Sequence, residues 1–396
     1  MISITILAVT TVLLIWCFGG YALVMGLFGK RTGIQLALPS AQPFFSILIP
    51  TYNEASVIRK RIENLLTLEY PRDSYEILII DSGSTDGTAD VVQELIQTRG
   101  QKVPRLILVR EKDRKGKGSA VKVGRSHARG EIILVSDANA AFHPGVLGIL
   151  GAAFADPNVG GVGGRYCVGN PGQERTGGAL FYWDLEYLMR KGEAALDSAC
   201  LFHGEINAWR KDLIDPDPSM LCEDLDMAIR IRRSGKKIGY EPSAIVYEPA
   251  ATTTRDIIIQ RKKVASGTLQ VIGKNLPYLL MCPGWYTWVI FPSHKILPLF
   301  TPFLLLIVPL LYLAINDLQV IISHFMISAG ILGLVLIGLR HMLRGEPCGG
   351  VRETPGRLMT IMEYVIVNEV LIVLAWWDFL TGRYTVLWEK VQSTRN

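Results

Sequence analysis

Charge is scarce in this chain. Only 19% of its 396 residues are Asp, Glu, Lys or Arg, against 49% hydrophobic, a balance too apolar for an ordinary soluble protein. The first 29 residues carry no charged side chain at all. Paired cysteines are also missing. Cys17, Cys167, Cys200, Cys222, Cys282 and Cys348 are scattered with no Cys-x-x-Cys pair, which argues against a zinc knuckle or a disulfide framework and fits a reducing compartment. The Gly-x-x-x-x-Gly-Lys-Ser/Thr spacing of a Walker motif is absent. No internal repeat or low-complexity tract occurs. The net charge of +5 is modest and comes without an aromatic-basic platform. It reads as Lys and Arg on the cytoplasmic membrane face, with no nucleic acid as partner.

What is present divides into apolar and soluble parts. Residues 1–29 are long enough to cross a bilayer core of about 30 Å and are followed at once by Lys30 and Arg31. No positive leader region precedes them, so they read as an uncleaved anchor with the following domain in the cytoplasm. Two further spans are expected at 296–316 and 318–339, as a hairpin with an outer turn at Asn316-Asp317. Arg340, Arg344, Arg352 and Arg357 then mark an inner loop. Residues 358–380 carry Glu363, Asn368, Glu369 and Asp378, and either span or lie at the interface. A span there would put the basic tail outside, against the positive-inside rule, which leaves the side of the C-terminus open. Trp285, Tyr286, Trp288 and Phe291 suit an interfacial segment at headgroup level. The layout is that of a multi-pass plasma-membrane protein.

Between these parts, residues 44–275 alternate β-branched runs with helical stretches. Strands are expected near 45–50, 76–81, 105–110 and 131–136, with helices near 54–68, 86–97 and 117–128, which makes a parallel α/β sheet. Glu54, Asp81 and Asp137 each follow an apolar run, at strand C-terminal ends where open α/β sheets bind ligands. The turn after Asp81 also suits a capped helix start. Lys115-Gly-Lys-Gly-Ser-Ala120 is a basic, Gly-rich turn opening a helix, suited to a diphosphate or simply solvated. Asp137 and the Asn139 carbonyl can both reach a divalent cation, or merely close a turn. Glu223 and Asp224 open a helix, where a dipole favours acids and where one could act as a general base. Arg255–Leu269 is a basic amphipathic helix that could lie on lipid or clamp a leaving diphosphate.

Taken together, Ser46-Ile-Leu-Ile-Pro-Thr-Tyr-Asn-Glu54, Asp81-Ser-Gly-Ser-Thr-Asp-Gly-Thr88, Asp137-Ala-Asn139, Glu223-Asp224 and Gln260-Arg-Lys-Lys263 resemble family-2 glycosyltransferases of the GT-A fold. The closest likeness is to the membrane-integrated branch of cellulose, chitin, hyaluronan and poly-N-acetylglucosamine synthases. The resemblance implies a Rossmann-like domain flanked by transmembrane helices. It gives Thr51, Tyr52, Glu54 and Asp81 to the nucleoside and Lys117 to the diphosphate. Asp137 and Asn139 would then hold Mg²⁺ or Mn²⁺, and Asp224, beside Glu223, would be the base. Phe202, His203 and Gly204 fall in the acceptor block, and Gln260, Arg261 and Lys263 where the family has Gln-x-x-Arg-Trp. Three departures stand out. Asn139 replaces an aspartate, Lys263-Val264 replaces Arg-Trp, and His203 and Glu205 replace small residues.

The implied activity is inverting sugar transfer from a nucleotide donor, UDP by default, to a growing polysaccharide. The missing Trp favours a second outcome, transfer of one sugar to a polyprenyl phosphate or another lipid-linked acceptor. A non-catalytic nucleotide-sugar binder is a third reading, which the intact acids oppose.

Overall fold

The uncharged N-terminal stretch forms α1 (Ile2–Ile15) and α2 (Tyr21–Lys30), which run together through a wider turn at Trp16–Gly20. The computed structural model describes residues 2–30, 42–100, 102–169, 177–249, 251, 253–315, 317–343, 357–383 and 394–395.

From Phe45 the apolar pattern shortens and the chain turns to strands. These are β1 (Phe45–Thr51), β2 (Tyr75–Ser82), β3 (Arg105–Glu111) and β4 (Ile132–Val135), with α3 (Ala55–Leu66), α4 (Thr88–Arg99) and α5 (Lys117–His127) between them. Each expected strand and helix of this stretch is present. β5 (Ala141–Phe142), α6 (Val146–Ala153), β6 (Val159–Val168), α7 (Gly177–Leu196), β7 (Asn207–Arg210), α8 (Glu223–Arg233), β8 (Lys237–Glu248) and α9 (Thr254–Met281) follow. The eight strands make one sheet in the order β3-β2-β1-β4-β7-β6-β8-β5. The first four are mutually parallel, β7 runs against both β4 and β6, and β6 and β8 are parallel. The sheet is thus mixed and mostly parallel.

Both faces of the central strands are covered, which is why their apolar runs are continuous rather than alternating. Ile47, Ile49, Ile77 and Ile79 belong to a core with Ile58, Ile62 and Leu65 of α3 and Leu147 and Leu150 of α6. On the opposite face α5 comes close because Gly124 has no side chain: a Cβ there would stand 2.8 Å from Ile80 Cδ1. The glycines of β6 serve the same end. A Cβ on Gly161 would meet the Phe202 ring at 2.5 Å, so that ring packs directly on bare strand.

Two compact units emerge. One holds the sheet and comprises the described residues of Ile34–Arg175, Leu201–Asn275 and Asp378–Asn396. The other comprises those of Met1–Gly33, Thr176–Cys200 and Leu276–Trp377. Thus α7, inside the stretch read as one catalytic domain, groups with the apolar helices. That apolar unit also contains α10 (Thr301–Ala314), α11 (Leu318–Met342) and most of α12 (Arg357–Leu380). Among the described residues, Ile2–Gly29, Tyr286–Ala314 and Leu318–Met342 are long and apolar enough to cross a membrane. Their outward faces stay apolar, with Leu313 80% exposed. The second span starts ten residues earlier than expected, because wider turns at Tyr286–Ile290 and Pro292–Ile296 carry the helix through the aromatic segment. Tyr286 and Phe291 are accordingly buried, whereas Trp285 and Trp288 face out. Cys167, on β6, is disulfide-bonded, so the scattered cysteines are not all free thiols.

Candidate active site

The first two motifs fold onto each other at the ends of neighbouring parallel strands. Thr51 and Asp81 are register partners. Thr51 is buried and its hydroxyl donates to the Ile80 carbonyl at 3.1 Å. Asn53 turns the chain with φ 56°, its N–H donating to Ser84 Oγ (2.8 Å) and its side-chain oxygen accepting from the Thr85 N–H (2.8 Å). The Glu54 N–H donates to Thr88 Oγ1 at 2.8 Å. This zipper leaves Asp81 buried with Oδ2 accepting from the Ser84 N–H (3.3 Å) and Oδ1 without a hydrogen-bond partner. The Arg114 guanidinium lies 4.1 Å over the Tyr52 ring. Glu54 is buried and paired through both oxygens with Arg395, at 3.0–3.2 Å.

A second group forms at the ends of β4 and β8. Asp137, Glu205 and Glu248 offer carboxylate oxygens within 4.8 Å of one another. The β5–β8 pairing, Ala141 opposite Tyr247, sets Asn139 beside Glu248. The Asn139 amide donates to Glu248 Oε1 at 2.8 Å. Asn139 Oδ1 and Glu248 Oε2 are buried without hydrogen-bond partners among the described residues. Glu205 is held from below, since the Arg61 guanidinium donates to Ser136 Oγ (2.8 Å), which donates to the Glu205 carbonyl (2.6 Å). Burial lifts the Glu205 carboxyl to about 7, Asp137 adding to the effect and Lys117 opposing it. Glu248 is pushed up in the same way, by burial first and then by Glu205 and Asp137.

Lys117 stands in the middle. Its ammonium lies 2.7 Å from Asp137 Oδ1 and 3.6 Å from Glu223 Oε1, and donates to the Gly204 carbonyl at 3.0 Å. Burial alone would lower its pKa, but Asp137 and Glu223 outweigh that and hold it charged. Gly204 borders both groups: a Cβ there would stand at ordinary contact distance, 3.4 Å from the lysine nitrogen and 3.9 Å from Asp224 Oδ2.

The acid pair opens α8 with unequal exposure. Glu223 is buried; Asp224 is partly open, with Oδ1 accepting from the Leu225 N–H at 2.9 Å. α9 docks beside it. Gln270 accepts from the Leu221 N–H (2.9 Å), Asn275 donates to Asp226 (3.2 Å), and Gly267 packs on Cys222. Lys263 thereby joins the pair, burial bringing it down to about 8 against the pull of Glu223. Gln260 is exposed on the outer side of α9, whereas Arg261 acts electrostatically on Tyr166. His203 stacks on Tyr166 at 5.8 Å and lies 3.9 Å from Glu205. Phe202 is fully buried in the core.

Most of the residues singled out from the sequence therefore converge, and others join them. Glu248 also ends an apolar run, Ala244-Ile-Val-Tyr-Glu248, so it carried the same signal as Glu54, Asp81 and Asp137. Glu205 stood out only as a departure. Arg114, Tyr166 and Arg395 had no sequence signal. The donor set, three carboxylates plus an amide oxygen with two orphaned buried oxygens, suits a hard divalent cation. Lys117, Lys263 and Arg261 provide positive charge for a diphosphate.

Residues 46–214 match the family model described as glycosyl transferase family 2, and residues 132–337 that described as glycosyl transferase family group 2. The chain is 28% identical over 245 residues to the probable glycosyltransferase YdaM of Bacillus subtilis, covering 59% of this chain and 57% of that protein. It is 30% identical over 275 residues to a beta-monoglucosyldiacylglycerol synthase of Nostoc, covering 68% and 57%. It thus spans little more than half the length of these curated relatives. Among solved structures, a mannosyltransferase from Pyrobaculum calidifontis, in complex with GDP-Man and Mn²⁺, superposes with a TM-score of 0.69 at 24% identity over 96% of this chain and 100% of the other. At that identity the likeness speaks for the fold.

Proposed function

This chain belongs to glycosyl transferase family group 2, and on that premise we propose that it moves one sugar from a nucleotide donor to a lipid-anchored hydroxyl, with inversion at the anomeric carbon. The observation that carries this reading is the gathering of Lys117, Asp137, Glu205, Glu223, Asp224 and Glu248 around one point at the strand ends. Tyr52, Glu54 and Asp81 take the nucleoside, with Asp81 Oδ1 as the acceptor awaiting a donor group. Thr51 supports that pocket through its bond to Ile80 rather than by direct contact.

Asp137, Glu205 and Glu248, with Asn139, would hold Mg²⁺ or Mn²⁺, which when bound neutralises charge on the donor diphosphate. Lys117, Arg261 and Lys263 stabilise the charge that builds as the diphosphate leaves. Asp224 takes the proton of the attacking hydroxyl, being the more open acid of the pair, while Glu223 is committed to Lys117. His203 and Gly204 shape the acceptor side, and Phe202 anchors their block in the core.

The lipid acceptor is preferred over a growing polysaccharide for two reasons. The Nostoc relative is named for a glucosyldiacylglycerol product. Val264 stands, 46% exposed, where an aromatic would contact a glycan chain in a polymerising relative. The donor is a UDP- or GDP-hexose. The test uses the full-length protein in nanodiscs with UDP- and GDP-sugars, Mg²⁺, Mn²⁺ or EDTA, and diacylglycerol, polyprenyl phosphate or no added lipid. A single glycolipid product that disappears with EDTA is expected. A ladder of saccharides without added lipid would return the reading to a polymerase, and donor binding without turnover to a binder.

A further inference from the structure

The apolar unit contains a charged network that the chemistry above does not use. Glu193, on α7, is fully buried. Its Oε1 accepts from Tyr21 of α2 at 2.8 Å and lies 2.7 Å from His294 Nδ1. His294 Nε2 lies 3.2 Å from Glu186 Oε1, which also accepts from the Tyr182 hydroxyl at 2.7 Å. Glu186 Oε2 receives Arg190 Nε at 2.8 Å, and Lys295 stands 4.0 Å from Oε1. Such groups are expensive in apolar surroundings, and those in membrane helices commonly serve function.

The network ends on one peptide. Glu193 Oε2 accepts from the Cys200 N–H at 2.9 Å, and the Tyr286 hydroxyl donates to the Cys200 carbonyl at 2.9 Å. Both backbone polar groups of Cys200 are thus satisfied by side chains of the apolar unit rather than by a helix or strand. The next residue, Leu201, starts the stretch that ends in Gly204 and Glu205. Hydrophobic packing alone would bury Cys200 without fixing its direction; two opposed hydrogen bonds fix both.

We propose that Glu193, with Tyr286, is a positioning residue for the acceptor block: it sets the peptide from which Leu201–Glu205 departs. This rests on the reading of that block as the acceptor side of a glycosyltransferase. Its consequence is selective. An error in the block misplaces the acceptor hydroxyl relative to Asp224, where displacements near 1 Å are costly, but leaves the nucleoside pocket at β1 and β2 alone.

The test compares wild type with Glu193→Gln, Tyr286→Phe and the double variant, full-length in nanodiscs with diacylglycerol and UDP-glucose. Glu193→Gln should raise the acceptor KM about tenfold, the equivalent of one well-placed hydrogen bond to a charged group. Tyr286→Phe, which keeps the ring, should raise it less, and the double variant should be non-additive. Donor KM and donor hydrolysis by water should stay within about twofold, a split that general misfolding would not give. Amide exchange across 199–205 should quicken in each variant, with or without turnover. Unchanged exchange there, or an equal loss of donor hydrolysis and transfer, would overturn the proposal. Failure of wild type to use any nucleotide sugar would instead strike the functional reading, leaving the exchange result to decide this one.

Discussion

Gly204 borders the charged groups of the candidate site on two sides. Its carbonyl takes the Lys117 ammonium, and the space where a side chain would start faces both that nitrogen and Asp224. Lys117 is already divided between Asp137 and Glu223, whereas Asp224 is partly open and, among the described residues, has no Lys or Arg ion pair. Asp224→Asn preserves shape and removes only the proton acceptor. Turnover should fall by roughly 10²-fold or more, the range of positioned base catalysis, with nucleotide affinity unchanged within about twofold. Equilibrium binding of UDP and GDP beside a turnover assay would check this, and retained turnover would remove Asp224 from the role. The same scale shows which residues of the candidate site the sequence makes legible. Asp81 and Asp137 are visible because a strand presents its end to the ligand side and an acid there has no structural reason to exist. Glu205 is visible only as an oddity, since nothing in its neighbourhood says that Asp137 and Glu248 lie beside it.

At the scale of elements, β8 joins distant chemistry. Its parallel pairing with β6 and antiparallel pairing with β5 carry Glu248 to within reach of residues more than a hundred positions away. The short β-branched runs of β1 to β4 were legible because their period and length admit one reading. The order β4-β7-β6-β8 was not, because it depends on which glycine-bared strand accepts which ring, as Gly161 accepts Phe202. α7 and α9 were equally hidden, since their amphipathic faces do not say which partner will cover them. β8 also carries a pH signature. Glu241 is buried, and burial alone raises its carboxyl to about 7. An acid raised in the fold favours the protonated state, so its contribution is complete below its unfolded pKa of 4.5 and is lost as pH rises through about 7. Above that range the buried charge costs on the order of 3 kcal/mol. Glu241→Gln should therefore raise the thermal midpoint at pH 8, with the difference shrinking toward pH 4.5. A difference independent of pH would place the effect in packing instead.

For the molecule as a whole, the pairing of Arg395 with Glu54 bears on how many times the chain crosses a bilayer. A chain that leaves one face of a bilayer and is found on that face again has crossed an even number of times. Glu54 and Arg395 touch, and Asp378 pairs with Lys262 at 2.6 Å, so the chain after α12 rejoins the face of the nucleoside pocket. Between Glu54 and Asp378, Tyr286–Ala314 and Leu318–Met342 are each long and apolar enough to cross a membrane, and together would make one outward and one returning passage. With both of those crossing, α12 would be the odd helix, and its acids Glu363, Glu369 and Asp378 lead us to expect it along the membrane rather than through it. In sealed vesicles of a Cys282→Ser background, Thr381→Cys and Lys112→Cys should react with an impermeant maleimide from the same side. Labelling from opposite sides would make α12 a third crossing and detach the tail from the pocket. One largely buried ion pair thereby predicts the number of membrane passages of a polypeptide whose hydropathy alone leaves that number undecided.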